Sequence, residues 1–225
     1  MQRATIVLAA GALIAAYAPL SAQRFDGVMQ FLSYEGHSDK PDTITQITKG
    51  GKIRIEGMGR SGAMIFDGTN RMIIMPEQKV YMNMPENLGE RDVEAEASKR
   101  TGTAERTGKT EEIAGIKCED WHYKGTKSDG TPEEGDACVA QGAGMMINKI
   151  SGGMVGRYFK FAGPAFSEAM KNDAGVMKVT SNGKLSFVAI KAERSSVPDA
   201  MFAPPPDYTK MDGGMSNQLR KPRKP

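Results

Sequence analysis

The chain has 225 residues, 30 of them basic and 27 acidic, for a formal net charge of +3. A balance so near neutrality argues against nucleic acid as the main ligand, which requires a clustered basic face. Two histidines, two cysteines and one tryptophan leave little material for metal or catalytic chemistry, whereas 16 methionines are the compositional oddity.

The first 22 residues carry the strongest single signal. Arg3 supplies one positive charge, Ala4 to Tyr17 is an uncharged run of 14 residues, and Pro19 to Ala22 ends in a small residue before polar Gln23–Arg24. This order is that of a secretory signal peptide. The run falls short of the roughly 20 apolar residues that a membrane-crossing helix needs. The expectation is a signal peptide over 1–22 and a periplasmic or secreted chain from about Gln23. With no cysteine near the cleavage point, a lipid anchor is not expected.

From Phe25 to Met84 the pattern alternates strand and turn. Phe25, Gly27, Met29 and Phe31 fall on one face of a first strand, and Ile44 to Thr48 is a second β-prone run. Lys49–Gly50–Gly51–Lys52 reads as a tight turn. Beyond it, Ile53 and Ile55 alternate with Lys52, Arg54 and Glu56, the mark of a strand wet on one side. Met64 and Phe66, the run Met72 to Met75, and Val80, Met82 and Met84 continue the series, with turns at Asp67–Asn70 and Pro76–Gln78. Short connections favour antiparallel neighbours. Residues 87–109 are charged and poor in large apolar groups, and read as an exposed helix or a linker within a single domain over 23–208.

The β pattern returns at Thr110 and runs through Cys118, Trp121 and Tyr123. A polar loop over Gly125–Gly135 follows, and a partner strand from Asp136 to Gln141. Two cysteines in an exported chain most simply form one disulfide, and Cys118–Cys138 would join paired strands. Methionines and isoleucines from Met145 to Met154 recur at three- and four-residue intervals, and Ala165–Lys171 follows Pro164, so two helical insertions are expected. Asn182–Gly183 is the strongest hairpin signal in the chain, because Asn-Gly tolerates the positive φ angles of a type I′ turn. Met201 and Phe202 are expected to pin the proline-rich end to the core. The segment 209–225, with five basic residues against Asp212, reads as a disordered basic tail able to touch an anionic membrane surface.

The order of these features resembles a bacterial family of exported proteins of unknown function, itself similar to the periplasmic lipoprotein-carrier fold of the LolA, LolB and LppX-like group. The resemblance rests on Phe25–Asp26–Gly27, Ile53–Arg54–Ile55, Ile65–Phe66–Asp67–Gly68, Met75 to Tyr81, Ile113 to Trp121, Cys138–Val139–Ala140 and Phe202–Ala203–Pro204. It implies a mainly β (α+β) fold: a strongly curved antiparallel sheet, or half-barrel, with helical insertions packed on its concave side around an apolar cavity. It supplies no catalytic residue and no cofactor.

Methionine is flexible and polarizable and suits an adaptable apolar lining. The residues expected to line a site for a lipid or other hydrophobic small molecule are Met64, Phe66, Met72, Ile74, Met82, Met84, Trp121 and Met154; ordinary core filling is the plainer account of any one of them. Thioether pairs at Met82 and Met84 or Met145 and Met146 would suit Cu(I), but lack nearby histidine or thiolate. His122 near Asp120 has no evident nucleophile, and no serine sits in a nucleophile-elbow context. The reading is therefore a non-catalytic, apolar-ligand-binding protein of the cell envelope with no cofactor, no metal and no nucleic-acid partner. A structural or protein-interaction module with a filled core is the alternative.

Overall fold

A computed structural model describes residues 24–34, 40–57, 62–84, 101–127, 129–144, 166, 169, 170 and 174–211. Its strands are β1 (Gly27–Ser33), β2 (Asp42–Lys49), β3 (Lys52–Glu56), β4 (Ala63–Phe66), β5 (Arg71–Met75), β6 (Val80–Asn83), β7 (Thr101–Ile113), β8 (Ile116–Thr126), β9 (Pro132–Ala140), β10 (Gly175–Ser181), β11 (Lys184–Arg194) and β12 (Thr209–Lys210). They form one open sheet in the order β12-β6-β5-β4-β3-β2-β1-β11-β10-β9-β8-β7. Two antiparallel meanders, β1 to β6 and β7 to β11, meet along β1–β11. Only β12 is parallel to its neighbour, β6.

The tight turns follow from residue chemistry. Gly50 and Gly51 (φ 54° and 87°) and Asn182 and Gly183 (φ 49° and 74°) occupy the left-handed region that a type I′ hairpin demands. The β7–β8 hairpin uses the same geometry at Ala114 and Gly115 (φ 51° and 77°). Alanine is a poor fit there, because its Cβ crowds the following carbonyl. Ala114→Gly is therefore expected to raise stability by about 1 kcal/mol, read as a higher urea midpoint with unchanged slope.

Strand alternation gives the sheet two distinct faces. Following direct cross-strand partners outward from β1, Met29, Gln46, Ile55, Met64, Ile73 and Met82 form one row. Val28, Ile47, Arg54, Ile65, Met72 and Asn83 form the corresponding row on the back. In the other direction, Ser33, Phe187, Val179, Ala137 and Trp121 continue the Met29 face. A large core on that side gathers Met29, Phe31, Trp121, Tyr123, Phe166, Val176 and Met177. Phe31 stacks on Phe187 at 4.9 Å between ring centres, and Phe166 meets Trp121 edge-on at 5.1 Å.

The back face of β1 to β6 is covered by the chain's own C-terminal segment. After β11, Val197, Met201, Phe202 and Tyr208 pack on Ile47, Ala63, Ile65, Met72 and Ile74. The strap is tied down at its margins. Asp199 pairs with Lys49 and Lys52, each at 3.0 Å, Arg54 donates to the Met201 carbonyl at 3.3 Å, and the Thr209 and Met211 amides donate to Lys79 and Tyr81. Met201 and Phe202 thus hold the proline-rich end as expected.

Three sequence expectations need correction. The α+β half-barrel with helical insertions is not what forms: the fold is nearly all β, one open twelve-stranded sheet, with no helix of seven or more residues among the described residues. Among the described residues, 3-10 turns at Pro76–Gln78 and Asp199–Phe202 are separate elements, and Phe166, Ala169 and Met170 have helical backbone without forming a helix of that length. The Met145–Met154 stretch lies outside the described residues, and Ala165–Lys171 is described only at Phe166, Ala169 and Met170. Two-residue alternation, clearest in β1, β3, β4 and β5, governs the described part of the chain and favours sheet. Second, residues 101–109, read as part of a helix or linker, belong to β7. An edge strand needs no apolar face, tolerates charge, and is favoured by β-branched Thr101, Thr103 and Thr107. Third, Thr209–Lys210, assigned to the tail, form β12.

Candidate functional site

The apolar half of the Met29 face over β3 to β6 is the candidate binding surface. Ile53, Ile55 and Met82 are buried, and Met64, Phe66, Ile73, Met75 and Val80 are half-buried beside them. The sequence patterns dictate this: each of β3 to β6 alternates, and the Gly50–Gly51 turn pairs Lys49 with Lys52, so Ile53 and Ile55 land opposite Thr48 and Gln46. Arg71 stands at one end of the surface, paired with Phe66. Three methionines lend it side chains that re-pack at low cost.

Of the residues the sequence nominated, Met64, Phe66 and Met82 meet on this surface. Trp121 lies on the same face in the other half of the sheet. Met72 and Ile74 do not join them; they point to the back and are buried beneath the strap. Met84 follows β6, its amide donating to the Arg71 carbonyl at 2.7 Å. Met154 lies outside the described residues. Ile53, Ile55, Ile73 and Gln46 were not nominated, although turn-defined register would have found them.

Gln46 is 2% exposed and donates from Nε2 to the Gly144 carbonyl at 3.2 Å. Thr48 donates from Oγ1 to the Phe25 carbonyl at 2.8 Å. These bonds tie residues 25 and 144 across β2, where an unpaired amide or hydroxyl would cost about 1–3 kcal/mol. Further along the same face, the Tyr123 hydroxyl donates to the Thr180 carbonyl at 2.8 Å. Trp121, 1% exposed, is the exception: its Nε1–H has no hydrogen-bond partner among the described residues. The Arg106 guanidinium lies 5.1 Å from the centre of the indole ring and 3.6 Å from a Glu119 carboxylate oxygen.

The back face of β7 to β10 sets charged and polar groups around buried Ile113, Cys118 and Cys138. Cys118 and Cys138 are joined in a disulfide, with Cα atoms 5.4 Å apart, both residues buried. Beside it, Lys178 pairs with the Glu111 carboxylate. Asp120 has one carboxylate oxygen, Oδ1, buried without a hydrogen-bond partner among the described residues. Burial, with Glu111's negative charge added, pushes its carboxyl above the usual range, and Lys178 offsets part of that rise. His122 Nδ1 lies 3.0 Å from Asp136 Oδ1. The Thr180 hydroxyl accepts from the Asp136 amide at 3.1 Å and lies 3.5 Å from Asp136 Oδ2. Among the described residues, no group of three or more His, Cys, Asp or Glu side chains is placed to hold a metal ion. None of the described helical segments is long and apolar enough to cross a membrane.

No curated protein and no solved structure is similar to this chain. A family model described as a domain of unknown function, DUF4412, matches residues 25–208, a span that opens just before β1 and closes at the end of the strap. The matched span holds β1 to β11, with β12 just beyond it, and the chain belongs to the DUF4412 family.

Proposed function

We propose that the protein is exported and holds an apolar or lipid-like molecule without transforming it. The observation that carries this reading is the row Ile55–Met64–Ile73–Met82, flanked by Ile53, Phe66, Met75 and Val80, on a face where the sheet has no charged residue between β3 and β6 except Arg71. Such surfaces, apolar with one polar group at the margin, suit small hydrophobic ligands. The signal-like order of residues 1–22 and the buried disulfide support an oxidising compartment outside the cytoplasm. The basic residues of 209–225 support contact with an anionic lipid surface where a ligand would be collected or delivered. This use of an apolar sheet face is what the chain would share with the lipoprotein carriers.

The test is to express the full chain with export in a Gram-negative host, purify it, extract bound lipid for mass analysis, and titrate a fluorescent fatty acid. Co-purified lipid or a displaceable probe is expected. Met64→Glu, a charge in the middle of the row, should weaken the probe at least tenfold while the disulfide and the β-sheet circular dichroism persist. A chain free of lipid that displaces no probe would instead be a structural or interaction module with a filled core.

A further inference from the structure

The methionines of β4 to β6 fall into two environments. Met72 is buried beneath the strap and Met82 is buried in the Met29 face, while Met64 and Met75 are half-buried on that face and reach solvent. Met64 stands in the middle of the apolar row, with Ile55 and Ile73 as its direct cross-strand partners, and it packs on Ile53. Met75 pairs with Val80. None of these neighbours carries a side-chain hydrogen-bond donor. An isoleucine at either place would be as apolar and chemically inert. A thioether differs in that a mild oxidant turns it polar, and a reductant turns it back.

We infer that Met64 and Met75 are reversible oxidation sites through which a peroxide switches off the apolar surface. This rests on the proposed apolar-ligand reading and adds its regulation. In the step, the thioether sulfur gives an electron pair to one oxygen of hydrogen peroxide. The O–O bond breaks, an S=O bond forms and water leaves, so the sulfur is oxidised by two electrons and the peroxide reduced by two. A dithiol reductase reverses the change: the sulfoxide oxygen leaves as water while two thiols close to a disulfide. The sulfoxide oxygen accepts hydrogen bonds that Ile53, Ile55, Ile73 and Val80 cannot supply. It keeps its water, and an apolar ligand that covers it must strip that water off. Ligand and peroxide therefore compete for the same sulfurs, and a loaded chain is shielded where an empty one is modified.

The test treats the full exported chain with hydrogen peroxide and locates sulfoxides by peptide mass analysis. Met64 and Met75 are expected to gain oxygen before buried Met29, Met72, Met82 and Met177. Affinity for a fluorescent fatty acid should fall about tenfold in the oxidised chain, and return after treatment with a methionine sulfoxide reductase and dithiothreitol. Saturating probe should slow oxidation at Met64 and Met75 but not at Met201, which is half-buried with the strap on the other face. The double variant Met64→Leu, Met75→Leu removes both sulfurs; measured against its own affinity before peroxide, it should lose nothing on oxidation. If the wild-type chain binds the probe and keeps its affinity with Met64 and Met75 fully oxidised, the switch is overturned while the apolar site stands. If the double variant loses affinity in peroxide as the wild type does, the assignment to these two residues is overturned. If the untreated chain binds no probe, the apolar-ligand reading falls and the switch falls with it.

Discussion

Phe202→Ala is expected to destabilise the protein by about 3–5 kcal/mol, lowering its melting temperature by about 6–20 °C. The side chain is 3% exposed and sits in the centre of the strap against Ala63, Ile65, Met72 and Ile74. The truncation removes the ring from a site that cannot collapse, since the strap is fixed on either side by Arg54 with Met201 and by the β12–β6 pairing. The loss should appear in calorimetry and in urea unfolding. Asp199→Ala is the matched control: it deletes two exposed ion pairs on the same strap and should change little, because exposed pairs are worth little. If both variants melt alike, the strap does not act as the cover of the back face.

Replacing Cys118 and Cys138 together by alanine should cost about 3 kcal/mol. The two residues are 20 apart, and in the chain-entropy account closing a loop of that size restricts the unfolded ensemble by about this much. The native hairpin should survive, because β8 and β9 are paired over eight consecutive positions, from Glu119 with Val139 to Thr126 with Pro132. The signature is therefore a lower urea midpoint with a native-like spectrum. A steeper denaturant slope is also expected, since the unfolded chain becomes more open. An unchanged midpoint would mean that the loop is as restricted in the unfolded state without its bond.

Much of the sheet was legible in the sequence where local chemistry decides geometry. Asn182–Gly183 and Gly50–Gly51 can hardly be anything but hairpin turns, and they set the register of the strands on either side. What escaped is what depends on register between strands. Met64 and Met72 look equivalent as apolar residues in neighbouring runs, yet the turn at Asp67–Asn70 pairs Phe66 with Arg71, so Met64 stands beside Ile73 and Met72 beside Ile65. A turn one residue longer would have put Met64 and Met72 on the same face. Two of the eight nominated residues, Met72 and Ile74, fall on the back face for that reason. The edge strand β7 was missed for a different one: with solvent around most of it, only Ala104 and Ile113 are buried, and no apolar alternation announces it.

The seam between β1 and β11 has a consequence for how this chain is made. Gly27 pairs with Arg194 and Ser33 with Phe187, so the opening strand must wait for a partner synthesised more than 150 residues later. Contacts of such long sequence separation are slow to form, and a nascent chain lacking them keeps β1 open as a bare edge. Until Lys184–Arg194 is made, β1 is held by β2 alone, and its other edge offers unpaired backbone groups to any neighbouring chain.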